Sequence, residues 1–536
     1  MIKQIIYKSV ILFLLFTLYS SLSAQNYDPS LKVNWGLLDP ETDKYEGTRT
    51  NKLYKKINEE GLKHEEIVVA VMDSGFDIEH PYLKDNIWKN EAELNGQPGV
   101  DDDNNGYIDD FYGWNFLGEA RYLNLEVTRE LARLTRENVP KTDPYFIKVL
   151  SYYSNKKSED ISTLDFLQGT ADEFRKYEKI LEEGNYPTSQ EEVKKIEKQL
   201  TGKYQEAAKN LLSQYLFLSI LGFSREELDE YENDYILKAK YLYDTSDVCS
   251  VIGDNAEILD EKGYGNNDIK SKGDVHGTHV TGIIASTKEG VGQAPFAKIM
   301  CLRVVPQEGD ERDKDIANGI IYAVDNGAKI INLSAGKYFS RNPETVKDAI
   351  KYAESKDVLF VVSAGNELVD IWDTINYPVK FYKENGQIKY FDNMVVVGAN
   401  SWMKTWSVQA DPDYENREFD LLAPFSNFSK KVVDLYAPGV HIYSTVPEGK
   451  FRYIGGTSMA APQVSGIAAI LRAYFPSLTA KQVKEILLKS VRTYDNLKVR
   501  INDEGKKVLF SNLSKTGGVI DAYNAFLIAE QYTNGN

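Results

Sequence analysis

The sequence predicts an α/β protein with a mainly parallel sheet covered by helices on both faces, plus an inserted all-helical region. Three observations predict it. Near-continuous apolar, β-branched runs recur at Ile67–Val71, Ile299–Val305, Ile330–Ser334, Val358–Ser363, Met394–Gly398 and Val432–Tyr436, the pattern of strands buried on both faces. Helical stretches lie between them, among them Asp315–Asn326, closed by Gly327, and Pro343–Ser355, so right-handed crossovers between parallel strands are expected. Between Glu119 and Thr245 the strand signals vanish and a Lys/Glu-rich helical period takes over, with Val193, Ile196 and Leu200 sharing one face.

Taken from the N-terminus, Lys3 and Lys8 precede an apolar stretch from Ser9 to Leu22 and the small Ala24, the pattern of a secretory signal over residues 1–24. The apolar run is short for a membrane span, so no stable transmembrane segment is expected after its removal, and the mature chain is expected in a periplasm or outside the cell. Residues 25–65 form an N-terminal segment. The main domain is expected over 66–118 and 246–530, the helical insertion over 119–245 and a polar tail over 531–536. With 42% hydrophobic residues and 35 Tyr the chain can bury a large core. Its net charge of -17 repels phosphate backbones, which excludes general electrostatic nucleic-acid binding and favours divalent cations as partners. Cys249 and Cys301 allow at most one disulfide, and the apolar surroundings of Cys301 favour a buried free thiol.

Three segments carry candidate chemistry. Ile67-Val68-Val69-Ala70-Val71-Met72-Asp73-Ser74-Gly75 is a buried strand ending on a carboxylate, at the end of a sheet where ligand crevices form; capping the next segment is the competing use of such an Asp. His276-Gly277-Thr278-His279-Val280-Thr281-Gly282 opens an apolar helix. Its two histidines lack a third ligand at zinc spacing, which places a metallohydrolase last among the readings. Gly456-Thr457-Ser458-Met459-Ala460-Ala461-Pro462 starts a long apolar helix, with Pro462 expected near its first turn. The unpaired N–H groups there favour an oxyanion beside Ser458, against the plain alternative of an N-cap serine.

These three motifs, in the order Asp, His, Ser, closely resemble the subtilisin-like serine peptidases. The resemblance implies a subtilisin-like three-layer fold and a secreted serine endopeptidase acting on polypeptides, with Asp73, His276 and Ser458 as its triad. It further implies that Asn366, in Ser363-Ala364-Gly365-Asn366-Glu367, supplies an oxyanion donor. Ser334, Ala335 and Gly336 would form one wall of the primary pocket, with Ala364 and Gly365 opposite, and Tyr377-Pro378 would be a cis bond beside it. No cofactor is needed for that chemistry. A catalytically silent binding protein on the same scaffold is the alternative. The long interval from Asp73 to His276 departs from a compact member of the family, and the insertion filling it is expected to restrict the cleft or to bind a partner.

Val100–Asp110 places oxygen ligands at alternate positions around Gly106. Asp101, Asp103, Asn105, the Tyr107 carbonyl and Asp109 or Asp110 are the candidates for a structural Ca²⁺, in a loop that lacks the distal Glu and flanking helices of an EF-hand. A solvated acidic turn is the other reading.

Overall fold

The computed structural model describes residues 35–221, 224–246, 249–270, 274–408, 417–502 and 505–534. The expected signal at 1–24 and the side chain of Cys249 lie outside the described residues. The chain divides into two compact units, one containing Val127–Thr245 and the other containing the motif-bearing segments before and after it. The division falls at Val127, later than the Glu119 expected from composition.

In the larger unit, strands β1 (Val68–Asp73), β2 (Gly113–Asn115), β3 (Lys298–Arg303), β4 (Ile330–Leu333) and β5 (Leu359–Ser363) belong to a ten-stranded sheet, with β2 at its edge beside β3. β1 lies between β3 and β4, both parallel to it, with Asp73 opposite Arg303. β5 continues the parallel order beyond β4 and is followed by the long strand Met394–Val408 and then by Leu435–Pro438. Because neighbouring strands are parallel, Asp73, Ser334 and Ala364 all emerge at one edge of the sheet.

Side chains alternate between two helical layers. Ala70, Met72, Leu333, Phe360 and Val362 join a core with Ile316 and Ile320 of helix Asp313–Asp325 and Val346 and Ile350 of helix Pro343–Ser355. The opposite face is covered by helices His276–Ala285 and Thr457–Tyr474, which also pack on each other. This is the three-layer α/β arrangement. Residues 35–65 are part of it: Trp35 is buried and its Nε1 donates to the Val440 carbonyl at 3.0 Å, ahead of helix Thr50–Glu60.

Two expectations shift. The run Val432–Tyr436 is strand only from Leu435, because the buried Asp434 carboxylate accepts the Val396 N–H at 3.0 Å and binds the Lys380 ammonium, while Val433 N–H closes a turn onto Ser429. Pro462 sits inside its helix, not in the first turn. A proline there cannot bond the carbonyl four residues back, which is that of Ser458, and Ser334 Oγ donates to that oxygen at 2.9 Å instead. Cys301 is a free, fully buried thiol. Among the described residues, no helix is long and apolar enough to cross a membrane.

In the smaller unit, every element among the described residues between Val127 and Thr245 is helical. Its 40-residue helix Pro144–Glu183 starts on Asp143, whose carboxylate accepts the Tyr145 and Phe146 N–H groups. Helix Arg225–Tyr241 begins with a capping box between Ser224 and Glu227. Leu167, Phe174, Leu181, Val193, Leu211 and Leu228 belong to a core of its own.

Candidate active site

Asp73 ends β1 almost fully buried, at 1% exposure. Its Oδ1 accepts the Ser74 N–H at 2.8 Å and the Ser74 hydroxyl at 3.1 Å, and lies 2.7 Å from His276 Nδ1. Oδ2 has no hydrogen-bond partner. The contact between Asp73 and His276 depends on Gly277, since a Cβ at that position would stand 2.3 Å from the Gly75 carbonyl and 3.1 Å from Asp73 Cβ. Any side chain there would push the His276 helix off the end of β1.

A second carboxylate lies close by. Asp274 is buried and accepts the His276 backbone N–H at 3.0 Å. Burial raises the Asp274 pKa; the Ser74 hydroxyl and the His276 N–H oppose the rise, and the neighbouring Asp73 charge adds to it. For His276, burial works against the imidazolium, but the charge and hydrogen bond of Asp73, with Asp274 behind them, prevail and raise its pKa to about 9. His279, one turn further on, turns away from this cluster. Its Nε2 is 3.0 Å from the Ile442 carbonyl and 3.2 Å from that of Arg452, so the two rings do not form a metal pair.

Ser458 is the second residue of helix Thr457–Tyr474, half-buried, at the end of a chain that passes through Gly455 and Gly456. Its hydroxyl donates to the Ser334 carbonyl at 3.2 Å, while Ser334 Oγ donates to the Ser458 carbonyl. The nucleophile candidate and the expected pocket wall are therefore joined in both directions. Asn332, fully buried in β4, donates to Ser334 Oγ at 3.0 Å and is itself fixed by Ser465.

Asn366 follows β5. Its Oδ1 accepts both the backbone N–H of Thr457, at 2.8 Å, and the Thr457 hydroxyl, at 3.0 Å. The Thr457 hydroxyl in turn accepts the Gly365 N–H at 3.0 Å. With the amide oxygen held on both sides, the Asn366 NH₂ is the end left for a ligand beside Ser458. The Asn376 amide donates to the Ala364 carbonyl at 3.3 Å and lies against Gly336, with Ala335 between Ser334 and that glycine. The Tyr377–Pro378 bond is cis.

The structure thus brings Asp73 to His276, Ser458 to Ser334, and Asn366 to the helix start that carries Ser458. Sequence reasoning missed Thr457, Asn332, Asp274 and Asn376. Thr457 adjoins Ser458 and Asp274 lies two residues before His276, so proximity to the motifs was the available signal. The same signal was available for Asn332, two residues before Ser334, and for Asn376, next to Tyr377.

In the acidic loop, carboxylate oxygens of Glu93, Asp101 and Asp103 lie within 4.8 Å of one another. Glu93 comes from the short helix Glu91–Leu94 ahead of the loop and was not among the expected ligands. Asp101 accepts the Asn105 and Gly106 N–H groups, and Asn105 Oδ1 accepts that of Tyr107, whose ring is buried. Asp109 Oδ1 is buried without a partner. Asp110 is occupied elsewhere: Asn90, Asn105 and the Tyr322 hydroxyl all donate to its carboxylate, and burial raises its pKa to about 6.

A profile of the Subtilase family matches residues 64–511, most of the chain. The chain is 35% identical over 205 residues to a thermophilic serine proteinase of Bacillus sp. (strain AK1), covering 37% of this chain and 42% of that protein. It is 32% identical over 219 residues to subtilisin DY of Bacillus licheniformis, covering 40% and 69%, and 29% identical over 265 residues to thermitase of Thermoactinomyces vulgaris, covering 48% and 77%. The match thus spans less than half of the first relative and more than two thirds of the other two. The chain belongs to the subtilase family, the subtilisin-like serine endopeptidases.

Proposed function

We propose that the chain is an active, secreted serine endopeptidase that hydrolyses polypeptides through an acyl-enzyme, with Ser458 as nucleophile. The observation that carries this reading is the 2.7 Å contact between buried Asp73 and His276, at the sheet edge that also presents Ser458 and the Thr457-held Asn366. A peptide lying along Ser334–Gly336 extends the sheet edge as an added strand. Its carbonyl carbon meets Ser458 Oγ once that hydroxyl rotates from the Ser334 carbonyl to His276, a tightening common on substrate binding. His276 Nε2 takes the hydroxyl proton as the C–O bond forms, Asp73 steadies the imidazolium, and the Asn366 NH₂ with the Ser458 N–H holds the oxyanion. The proton then passes to the leaving amine, and water repeats the sequence to free the acid.

A fluorophosphonate probe is expected to label the full chain at Ser458 and to leave Ser458→Ala unlabelled, with peptide hydrolysis lost in parallel. A folded wild-type chain that neither labels nor hydrolyses a peptide library would make it a binding protein instead.

The acidic loop is proposed to hold a structural Ca²⁺, outside the chemistry. Its donor set is all oxygen, and carboxylate oxygens of Glu93, Asp101 and Asp103 lie within 4.8 Å of one another, close enough to share one cation. Glu93, Asp101 and Asp103 would bind it, with Asp110 supporting the loop from the core. Excess chelator should lower the melting temperature by several degrees, and Glu93→Gln should abolish most of that difference. An unchanged melting temperature on chelation would leave a solvated acidic turn.

A further inference from the structure

His279 belongs to the same motif as His276, yet the mechanism above does not use it. It is fully buried, and its Nε2 faces two carbonyls at once, those of Ile442 and Arg452. These residues sit on the two strands of a hairpin, Ile442–Val446 paired with Lys450–Ile454, and the second strand runs directly into Gly455, Gly456, Thr457 and Ser458. The helix carrying His276 and the hairpin delivering Ser458 are therefore tied through this ring.

Other bonds at the same junction support the tie. Ser444 Oγ donates to the His279 carbonyl and Thr445 Oγ1 to that of Thr278, each at 2.8 Å. A Cβ on Gly282 would stand 2.1 Å from Thr445 Oγ1, so helix and hairpin approach as closely as a glycine permits. Two carbonyl acceptors require the proton on Nε2, and Nδ1 has no partner. Protonating Nδ1 would bury an N–H without an acceptor; burial accordingly lowers the pKa to about 3, and the ring stays neutral beside His276.

We infer that His279 is a positioning residue: as a neutral double clasp between the His276 helix and the hairpin, it fixes the distance between the general base and the nucleophile. A nucleophile displaced by about 1 Å from its base can lose about 10²-fold in rate, whereas substrate binding along Ser334–Gly336 does not pass through this junction. The inference rests on Ser458 and His276 being the reacting pair.

The test uses the full chain, with fluorophosphonate labelling rate, kcat and KM on one peptide substrate, all measured well below each variant's melting temperature. His279→Ala should lose about tenfold to a hundredfold in kcat and labelling rate, with KM within about twofold. His279→Gln, whose amide can reach the same carbonyls, should recover most of the loss. Unchanged kcat in a folded His279→Ala with only a lowered melting temperature would overturn the inference. Should the alanine variant fail to fold, His279→Gln and the shorter His279→Asn decide: kcat kept in the first and lost in the second supports the clasp, and equal kcat in both overturns it. If the reading of the reacting pair were wrong, the unsubstituted chain would itself fail to label at Ser458, an outcome separate from any of these.

Discussion

Asp73→Asn should lower kcat on a peptide substrate by about 10⁴-fold and move the acid limb of kcat/KM to lower pH. The size follows from what Asp73 touches. Its Oδ1 is shared by the Ser74 N–H, the Ser74 hydroxyl and His276 Nδ1, all of which donate. An asparagine keeping its oxygen there must put its NH₂ where Oδ2 lies buried without a partner, and one that flips turns donors onto donors. Either way the imidazolium formed during attack loses its charged partner.

The direction in pH follows from the sign of the His276 shift. Catalysis needs the neutral ring, whose pKa is raised to about 9, so the wild-type limb rises at alkaline pH. Removing the Asp73 charge removes its main support and moves the limb towards the ordinary imidazole range, near pH 6.5. The same raised pKa contributes stability that is complete below about pH 6.5 and lost as pH rises through about 9, and the variant forfeits it. A pH series of kcat/KM on one peptide checks the claim. A loss under tenfold, or an unmoved limb, would remove Asp73 from the proposed triad.

What the sequence made legible depended on how local the cause was. β1, β3, β4 and β5 were readable because strands covered on both faces must be apolar throughout, and the helix at Pro343–Ser355 carries its own start signal. The start of the Val432–Tyr436 run was not, because Asp434 is drawn out of strand geometry by Val396 and Lys380, remote in sequence. β2 has three residues and too little pattern to detect. In the candidate site, Asp73, His276, Ser458 and Asn366 stood out through their motifs. The residues that orient them did not: Thr457 reaches Asn366 across 91 positions, and Asn332 reaches the Ser458 helix through Ser465 across 133. Glu93 joins the acidic loop from a helix outside the repeating ligand pattern. Such partners are chosen by where the backbone passes, which composition and spacing do not encode.

Asn366→Leu should lower kcat by about 10²–10³-fold with little change in KM, because its NH₂ meets charge that develops on the substrate oxygen only during attack. Thr457→Val tests the same device from behind. Valine keeps the β-branched shape but removes the hydroxyl that donates to Asn366 Oδ1 and accepts the Gly365 N–H. The Thr457 backbone N–H still holds that oxygen at 2.8 Å, so the amide is loosened, not freed, and a loss of about tenfold in kcat is expected. The double variant distinguishes orientation from an independent contribution of Thr457. If the hydroxyl acts on catalysis through Asn366, adding Thr457→Val to Asn366→Leu should cost little further in kcat, so the two losses fall well short of multiplying. Losses that multiply in full would show that Thr457 supports Ser458 by another route, through the helix start itself, and would leave Asn366 to be oriented by its backbone bond alone.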